Sequence, residues 1–234
     1  MALPCYLAMT AAEIAANSVL PPRMAWMACH FSPSGPGLTN LPSALPPGAI
    51  LILDDSVPIC DHKPEKIVQE LKKLLNCFDI SSVLLDFQRP DNPAATAVVQ
   101  SIVSNLPGPV GVSELYAQDL DCPVFLSPPP PHCLLDEYLA PWQGRNIFLE
   151  AALSCETVTI TDKGVLFTSD PLEKALKDGH SDNSLHCHYT VETSENQIRF
   201  FLYRTRDDLN QLLQEAEHFG VSRAIGLYQE LNNI

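Results

Sequence analysis

With 234 residues, 46% of them hydrophobic and 18% charged, the chain has the length and apolar content of one folded domain and too little charge for long disordered tails. Its 28 acidic residues against 14 lysines and arginines give a formal net charge of −14, which excludes nucleic-acid or anionic-membrane binding through clustered basic side chains. No apolar run approaches the ~20 residues of a spanning helix.

The N-terminus carries no lysine or arginine before Arg23, so it lacks the basic start of a secretory signal. The eight cysteines never fall in C-x-x-C spacing. The expectation is a cytoplasmic protein with reduced thiols, no cofactor and no zinc site of the ribbon or finger kind.

In chain order, Tyr6–Thr10 is a short apolar strand, and AAEIAAN after it a brief helix stopped by Leu20–Pro22. Met24–Phe31 is a second strand. The long Pro/Gly/Ser loop Ser32–Gly48 that follows is either a lid or a surface wrap pinned by prolines. ILILDD (Ile50–Asp55) is a third strand. In HKPEKIVQELKKLLNCF the residues Ile67, Leu71, Leu74 and Leu75 recur at helical spacing, with Pro64 in the first turn.

SVLLDF is a buried strand, and Asn92–Leu106 a helix capped near Asn92 or Thr96. PVGVSE and PVFLSP are strands separated by too few residues for a full helix. SPPPPH is a rigid loop, LLDEYLAPW at most two helical turns, and NIFLEA the next strand.

From Glu156 to Arg204 the pattern changes. SCETVTITDKGVLFTS alternates around a DKG turn, KDGHSDNS is a polar loop, and LHCHYTVETSENQIRFFLYR reads as two antiparallel strands around SEN. TRDDLNQLLQEAEHFG is a helix with Thr205 as its N-cap and Gly220 as its stop. VSRAIGLYQEL is a last strand. Eight parallel-type strands result, with the antiparallel segment 156–204 between the seventh and the eighth. The expected fold is a single (β/α)8 barrel over 1–234, some helices short or missing. An open doubly wound sheet is the rival, weakened by the lack of a Gly-rich phosphate loop.

In such a barrel the strand C-termini converge on one face, where chemistry is kept. That nominates His30, Asp54, Asp55, Asp86, Gln88, Glu114, Glu150, Tyr228 and Glu230 as residues at the mouth. Tyr228 and Glu230 fall on one face of the last strand. Glu114 and Glu150 could serve as acid and nucleophile of a retaining hydrolase if they lay ~5–5.5 Å apart, or each could pair with an arginine such as Arg89 or Arg145. Asp54 and Asp55 could hold a cation or a hydroxyl, or begin a loop as caps.

His186-x-His188 places two imidazoles on one strand face, a metal-ligand spacing that also suits a structural role. Cys29 is a thiol beside His30, although neighbours on a strand point opposite ways. Trp142, in a loop, is placed where a sugar platform would sit, and Trp26 suits the core.

The last third, HCHYTVETSENQIRFFLYRTRDDLNQLLQEAEHFGVSRAIGLYQEL, resembles the end of glycoside hydrolase family 18, the chitinase-like barrels, and most of all their compact spore-wall hydrolase-like branch. Tyr228 stands where the family has Trp. SVLLDFQ takes the place of the family's catalytic strand, D-G-x-D-x-D-x-E. Laid on residue by residue, the motif's acids fall on Ser81, Leu84, Asp86 and Gln88, and only Asp86 is an acid.

In that family the final Glu protonates the glycosidic oxygen and the substrate's acetamido group is the nucleophile. Gln88 cannot hold and release that proton. The resemblance therefore implies a degenerate barrel that binds a carbohydrate or similar polar ligand at its mouth. The alternatives are a working hydrolase built on Glu114 and Glu150, and a structural or interaction protein with a plugged barrel. Oligomeric state is not encoded in any feature of the sequence.

Overall fold

The computed structural model describes residues 3–59, 63–90, 92–171 and 179–232. Eight parallel strands close into a barrel. They are β1 (Cys5–Met9), β2 (Met24–Phe31), β4 (Ala49–Asp54), β5 (Ile80–Asp86), β6 (Val110–Ser113), β7 (Val124–Leu126), β8 (Ile147–Glu150) and β14 (Val221–Leu227). The order is β1-β14-β8-β7-β6-β5-β4-β2, and β2 pairs back onto β1 to complete the ring. The strand starts match those expected from sequence within two residues, because each begins where an apolar run follows a polar or proline punctuation.

The helices between strands are uneven. α2 (Pro64–Cys77) and α3 (Pro93–Asn105) are full-length and bury Ile67, Leu71, Val98 and Ile102 against the outside of the barrel. Asn92 caps α3, accepting from the backbone N–H groups of Ala94 and Ala95. α1 (Ala11–Ala16) is held by a capping box between Thr10 and Glu13. α4 (Glu114–Ala117) and α5 (Leu135–Leu139) are single turns, as the short spacers require.

The loop after β2 is a pinned wrap. Its two-residue strand β3 (Leu38–Thr39) pairs with β2, the Leu38 N–H donates to Glu70 at 2.7 Å, and the Trp26 indole donates to the Asn40 carbonyl at 3.1 Å.

The lumen is filled, as a barrel of this size requires. Ala8, Ala25, Ile50, Ile52, Leu84, Phe125, Phe148 and Ile225 form one buried cluster inside it. Gly111 on β6 makes the room: a Cβ there would lie 2.7 Å from the Phe148 ring. At the N-terminal end Arg223 plugs the barrel, donating to the Ser82 hydroxyl at 2.7 Å with its guanidinium 5.1 Å from the Phe148 ring.

The antiparallel insertion follows β8. It is a five-stranded sheet in the order β10-β9-β13-β12-β11, made of β9 (Cys155–Thr161), β10 (Gly164–Ser169), β11 (His180–Asp182), β12 (Cys187–Ser194) and β13 (Gln197–Tyr203). Both expected hairpins are present, and the described part of the loop expected to be purely polar adds the short strand β11. Lys177 and Asp178 of that loop lie outside the described residues, as does Cys60. The other seven cysteines are free thiols.

Val158, Cys187 and Leu202 give the sheet a small core of its own. α6 (Arg206–Ala216) then leads back to β14, with a capping box between Thr205 and Asp208. A short 3-10 turn after it ends at Gly220, whose φ of 92° is left-handed. No helix among the described residues is long and apolar enough to cross a membrane.

Candidate functional site at the barrel mouth

Three strand ends bring carboxylates together. Asp54 closes β4, Asp86 closes β5 and Glu150 closes β8. All three line one cavity of about 70 Å³ at the C-terminal mouth, whose apolar wall includes Ile52, Leu84, Phe125 and Ile225. Parallel register sets the pairing: Asp54 stands opposite both His30 and Asp86, and Glu150 opposite Ile225. A larger cavity of about 620 Å³ lies at the other end of the molecule, where loops enter β8 and β14, and is lined by Asp136, Gln143, Arg145 and Phe219. Size favours that cleft, but it holds no strand C-terminus. The chemistry that the barrel collects is at the mouth.

The hydrogen bonds at the mouth form one connected set. His30 Nδ1 lies 3.0 Å from Asp54 Oδ1, and the Ser56 hydroxyl donates to the same oxygen at 2.6 Å. The Gln88 side-chain N–H donates to Asp86 Oδ1 at 2.5 Å. Asp55 turns away from the cavity. It is buried, and its two oxygens accept from the backbone N–H groups of Gln88 and Arg89 at 3.0 Å, which fixes the turn after β5.

Burial pushes Asp86 above the usual carboxylate range, with the Gln88 bond pulling against it and Asp54 and Asp55 adding to it. Burial, together with the charges of Asp86 and Glu230, pushes Glu150 up to about 7.

Glu114 does not line the cavity that Glu150 shares with Asp54 and Asp86. It is the first residue of α4 rather than the end of a strand. Burial alone raises it. The arginines proposed as partners bond elsewhere. Arg89 donates to the Ser56 carbonyl, and Arg145 to the carbonyls of Ala117, Leu120 and Cys122.

The last strand is shorter than its sequence pattern suggests. It stops at Leu227, and Tyr228–Leu231 is one helical turn, α7. Tyr228 and Glu230 therefore share no strand face. The Tyr228 hydroxyl bonds Asn17 at 3.0 Å while its ring packs against the core outside the barrel. Glu230 accepts weakly from the Leu153 N–H at 3.4 Å.

His186 and His188 of the insertion also depart from the strand-face picture. His186 precedes β12 with φ of 47°, so the pair does not alternate as in a strand. His186 Nε2 meets Glu215 and His188 Nδ1 meets Asp208, both at 2.8 Å and both on α6. No group of three or more His, Cys, Asp or Glu with metal-binding geometry occurs among the described residues.

Cys29 is fully buried among apolar side chains, and burial, aided by Asp54 and Glu70, pushes its thiol up to about 12, far from a nucleophile's range. Trp142 is half-buried against the outer core beside Arg145.

Two residues unremarked in the sequence matter here. Ser56 completes the His30–Asp54 contact, and Arg204 anchors the insertion to the loop after β7. In the sequence Arg204 stands directly after the apolar run FFLY.

No family model matches the chain, and no curated protein matches it in sequence. Solved structures match it in fold. The spore cortex-lytic enzyme SleL of Bacillus cereus is 9% identical, with 96% of this chain and 70% of that one covered at a TM-score of 0.58. The chitinase-like agglutinin RobpsCRA of Robinia pseudoacacia is 8% identical, with 94% and 93% covered at 0.59. A GH18 chitinase mutant from Cycas revoluta, with a glutamate changed to glutamine and in complex with (GlcNAc)4, is 12% identical, with 96% and 94% covered at 0.53. In fold, then, the chain is a (β/α)8 barrel similar to those of the spore cortex-lytic enzyme, the chitinase-like agglutinin and the GH18 chitinase.

Proposed function

We propose that this barrel binds a carbohydrate or similar polar ligand at its C-terminal mouth and does not hydrolyse it by the family-18 route. The observation that carries this reading is the bond from Gln88 to Asp86 at the rim of the cavity. A carboxamide keeps the hydrogen-bonding capacity of a carboxyl and lacks its titratable proton. Leu84 fills the position of the motif's inner acid and packs into the lumen. Support also comes from the Cycas revoluta chitinase, a barrel of this fold in which a glutamate-to-glutamine mutant is in complex with (GlcNAc)4.

One observation favours a second reading, an interaction protein with a plugged barrel. The mouth cavity of about 70 Å³ is well below the ~300–1,000 Å³ of ordinary ligand pockets, so most of a sugar would lie outside it. Calorimetric titration with (GlcNAc)4 separates the two. Under the binding reading, saturable heat is seen and Asp86→Ala weakens it at least tenfold. Silence from the wild-type chain would leave the plugged barrel as the better account.

A further inference from the structure

Glu150 is unusual among the mouth carboxylates. Asp54 accepts from Ser56 and contacts His30, and Asp86 accepts from Gln88. Among the described residues no hydrogen bond or ion pair holds the Glu150 carboxyl, although it is half-buried at the end of β8.

The titratable groups around it are acids. Asp86 faces it from β5 and Glu230 from α7, both close enough to act on its charge. Asp54 lines the same cavity from β4, and no lysine or arginine does. The Tyr138 hydroxyl on α5 also feels Glu150, but it donates to the Ser127 carbonyl at 2.8 Å. Arg206 on α6 reaches this side only to donate to the main-chain carbonyl of Glu230. A negative charge on Glu150 therefore has neighbours of its own sign and no counter-cation.

We propose that Glu150 is the proton-linked gate of the mouth: as a neutral acid it donates a hydrogen bond to a ligand oxygen, and on ionisation it closes the site to that ligand. This rests on the binding reading above and adds to it the chemistry of the contact. A neutral ligand rich in hydroxyl and carbonyl acceptors suits a wall whose free donor is a carboxylic acid. An anionic ligand is excluded by the remaining carboxylates. Binding a neutral ligand then takes up a proton wherever Glu150 is ionised in the free protein. The proton comes from solvent or buffer, and the O–H of the Glu150 carboxyl is the only covalent bond formed. The upward push on Glu150 places this exchange near neutral pH, inside the range that cells vary.

The test has two arms on the full chain. Carboxyl-carbon NMR titration of the free protein should show one glutamate resonance titrating near pH 7, absent in Glu150→Gln. Calorimetry with (GlcNAc)4 at pH 6, 7 and 8, in buffers of different ionisation enthalpy, should show proton uptake and binding about twofold weaker at pH 7 than at pH 6 and about fivefold weaker again at pH 8. Binding by Glu150→Gln should be the same at all three pH values.

Titration of Glu150 in the ordinary carboxylate range overturns the proposal without any ligand. Binding of (GlcNAc)4 that is independent of pH overturns the gate and leaves the binding reading standing. No binding by wild type or Glu150→Gln at any of these pH values removes the binding reading, and the gate with it.

Discussion

At the scale of single residues, the mouth is a study in what an amide can and cannot replace. Gln88 holds Asp86 as a carboxylic acid would, but it brings no proton. Gln88→Glu restores one acid of four, while Leu84 still stands where the inner carboxylate would raise and share its proton. We expect no hydrolysis of (GlcNAc)4 by this variant, as read by chromatography of the products. Turnover would show that the apolar neighbour is no obstacle.

Glu150 allows a stability prediction with a definite sign. Its folded-state pKa is raised, so the folded chain holds this proton to a higher pH than the unfolded chain does. Stability is therefore lost as pH rises from the ordinary carboxylate range through about 7. Glu150→Gln should remove that loss, gaining about 1 kcal/mol at pH 8 relative to pH 5 in urea unfolding, after discounting for partial exposure.

At the scale of elements, local signals were legible where they were chemically complete. Thr205 and Asp208 cap each other reciprocally, and Gly220 ends the turn after α6 with a left-handed φ, so both ends of that segment could be read in the sequence. Burial works to raise Asp208, but the Thr205 hydroxyl and amide and His188 outweigh it and hold the carboxyl below its usual range. That contribution is present above the unfolded pKa of Asp and lost as pH falls through the folded one. Thr205→Ala should cost about 1 kcal/mol at pH 7, and less at acid pH, in the same unfolding assay.

The strand β6 carries a different constraint. Gly111→Ala would place a methyl against the Phe148 ring in the filled lumen, and a cost of about 1–3 kcal/mol is expected from overpacking. The helical turn α7 was not legible. Tyr228-Gln-Glu-Leu carries on the alternation of β14 without a break, and the turn shows only in the structure, in the bond of the Asn232 N–H to the Tyr228 carbonyl and of the Tyr228 hydroxyl to distant Asn17.

At the scale of the molecule, the barrel and its insertion are two cores joined by a polar seam. Buried Arg204 donates to the carbonyls of Pro129, Pro130 and His186, tying the end of β13 to the loop after β7. His132 reaches across from that loop to Glu156 at 2.6 Å, with its ring 4.2 Å from that of Phe167, and His186 and His188 bind α6 on the other side. Removing Arg204 leaves several buried acceptors without donors, at a cost of about 1–3 kcal/mol for each one lost. Arg204→Ala should therefore raise amide hydrogen exchange in β9, β12 and β13 before it does so in the barrel strands. Equal loosening of both parts would show that they unfold as one unit.

The eight strand positions, the hairpins of the insertion and the cap of α6 were determined by the sequence itself. Apolar runs, turn residues and N-caps act over a few neighbours and need no tertiary context. The acid content of the mouth was also visible as a row of polar residues at strand ends. Tertiary structure alone decided which of those residues share a cavity. Closing the barrel put Asp54, Asp86 and Glu150 together, turned Asp55 into a backbone brace, set Glu114 at the start of α4 and left Tyr228 bonded to Asn17. The physical reason is that a strand's periodicity states which face a side chain takes, while barrel register and the turns beyond each strand set what it meets there.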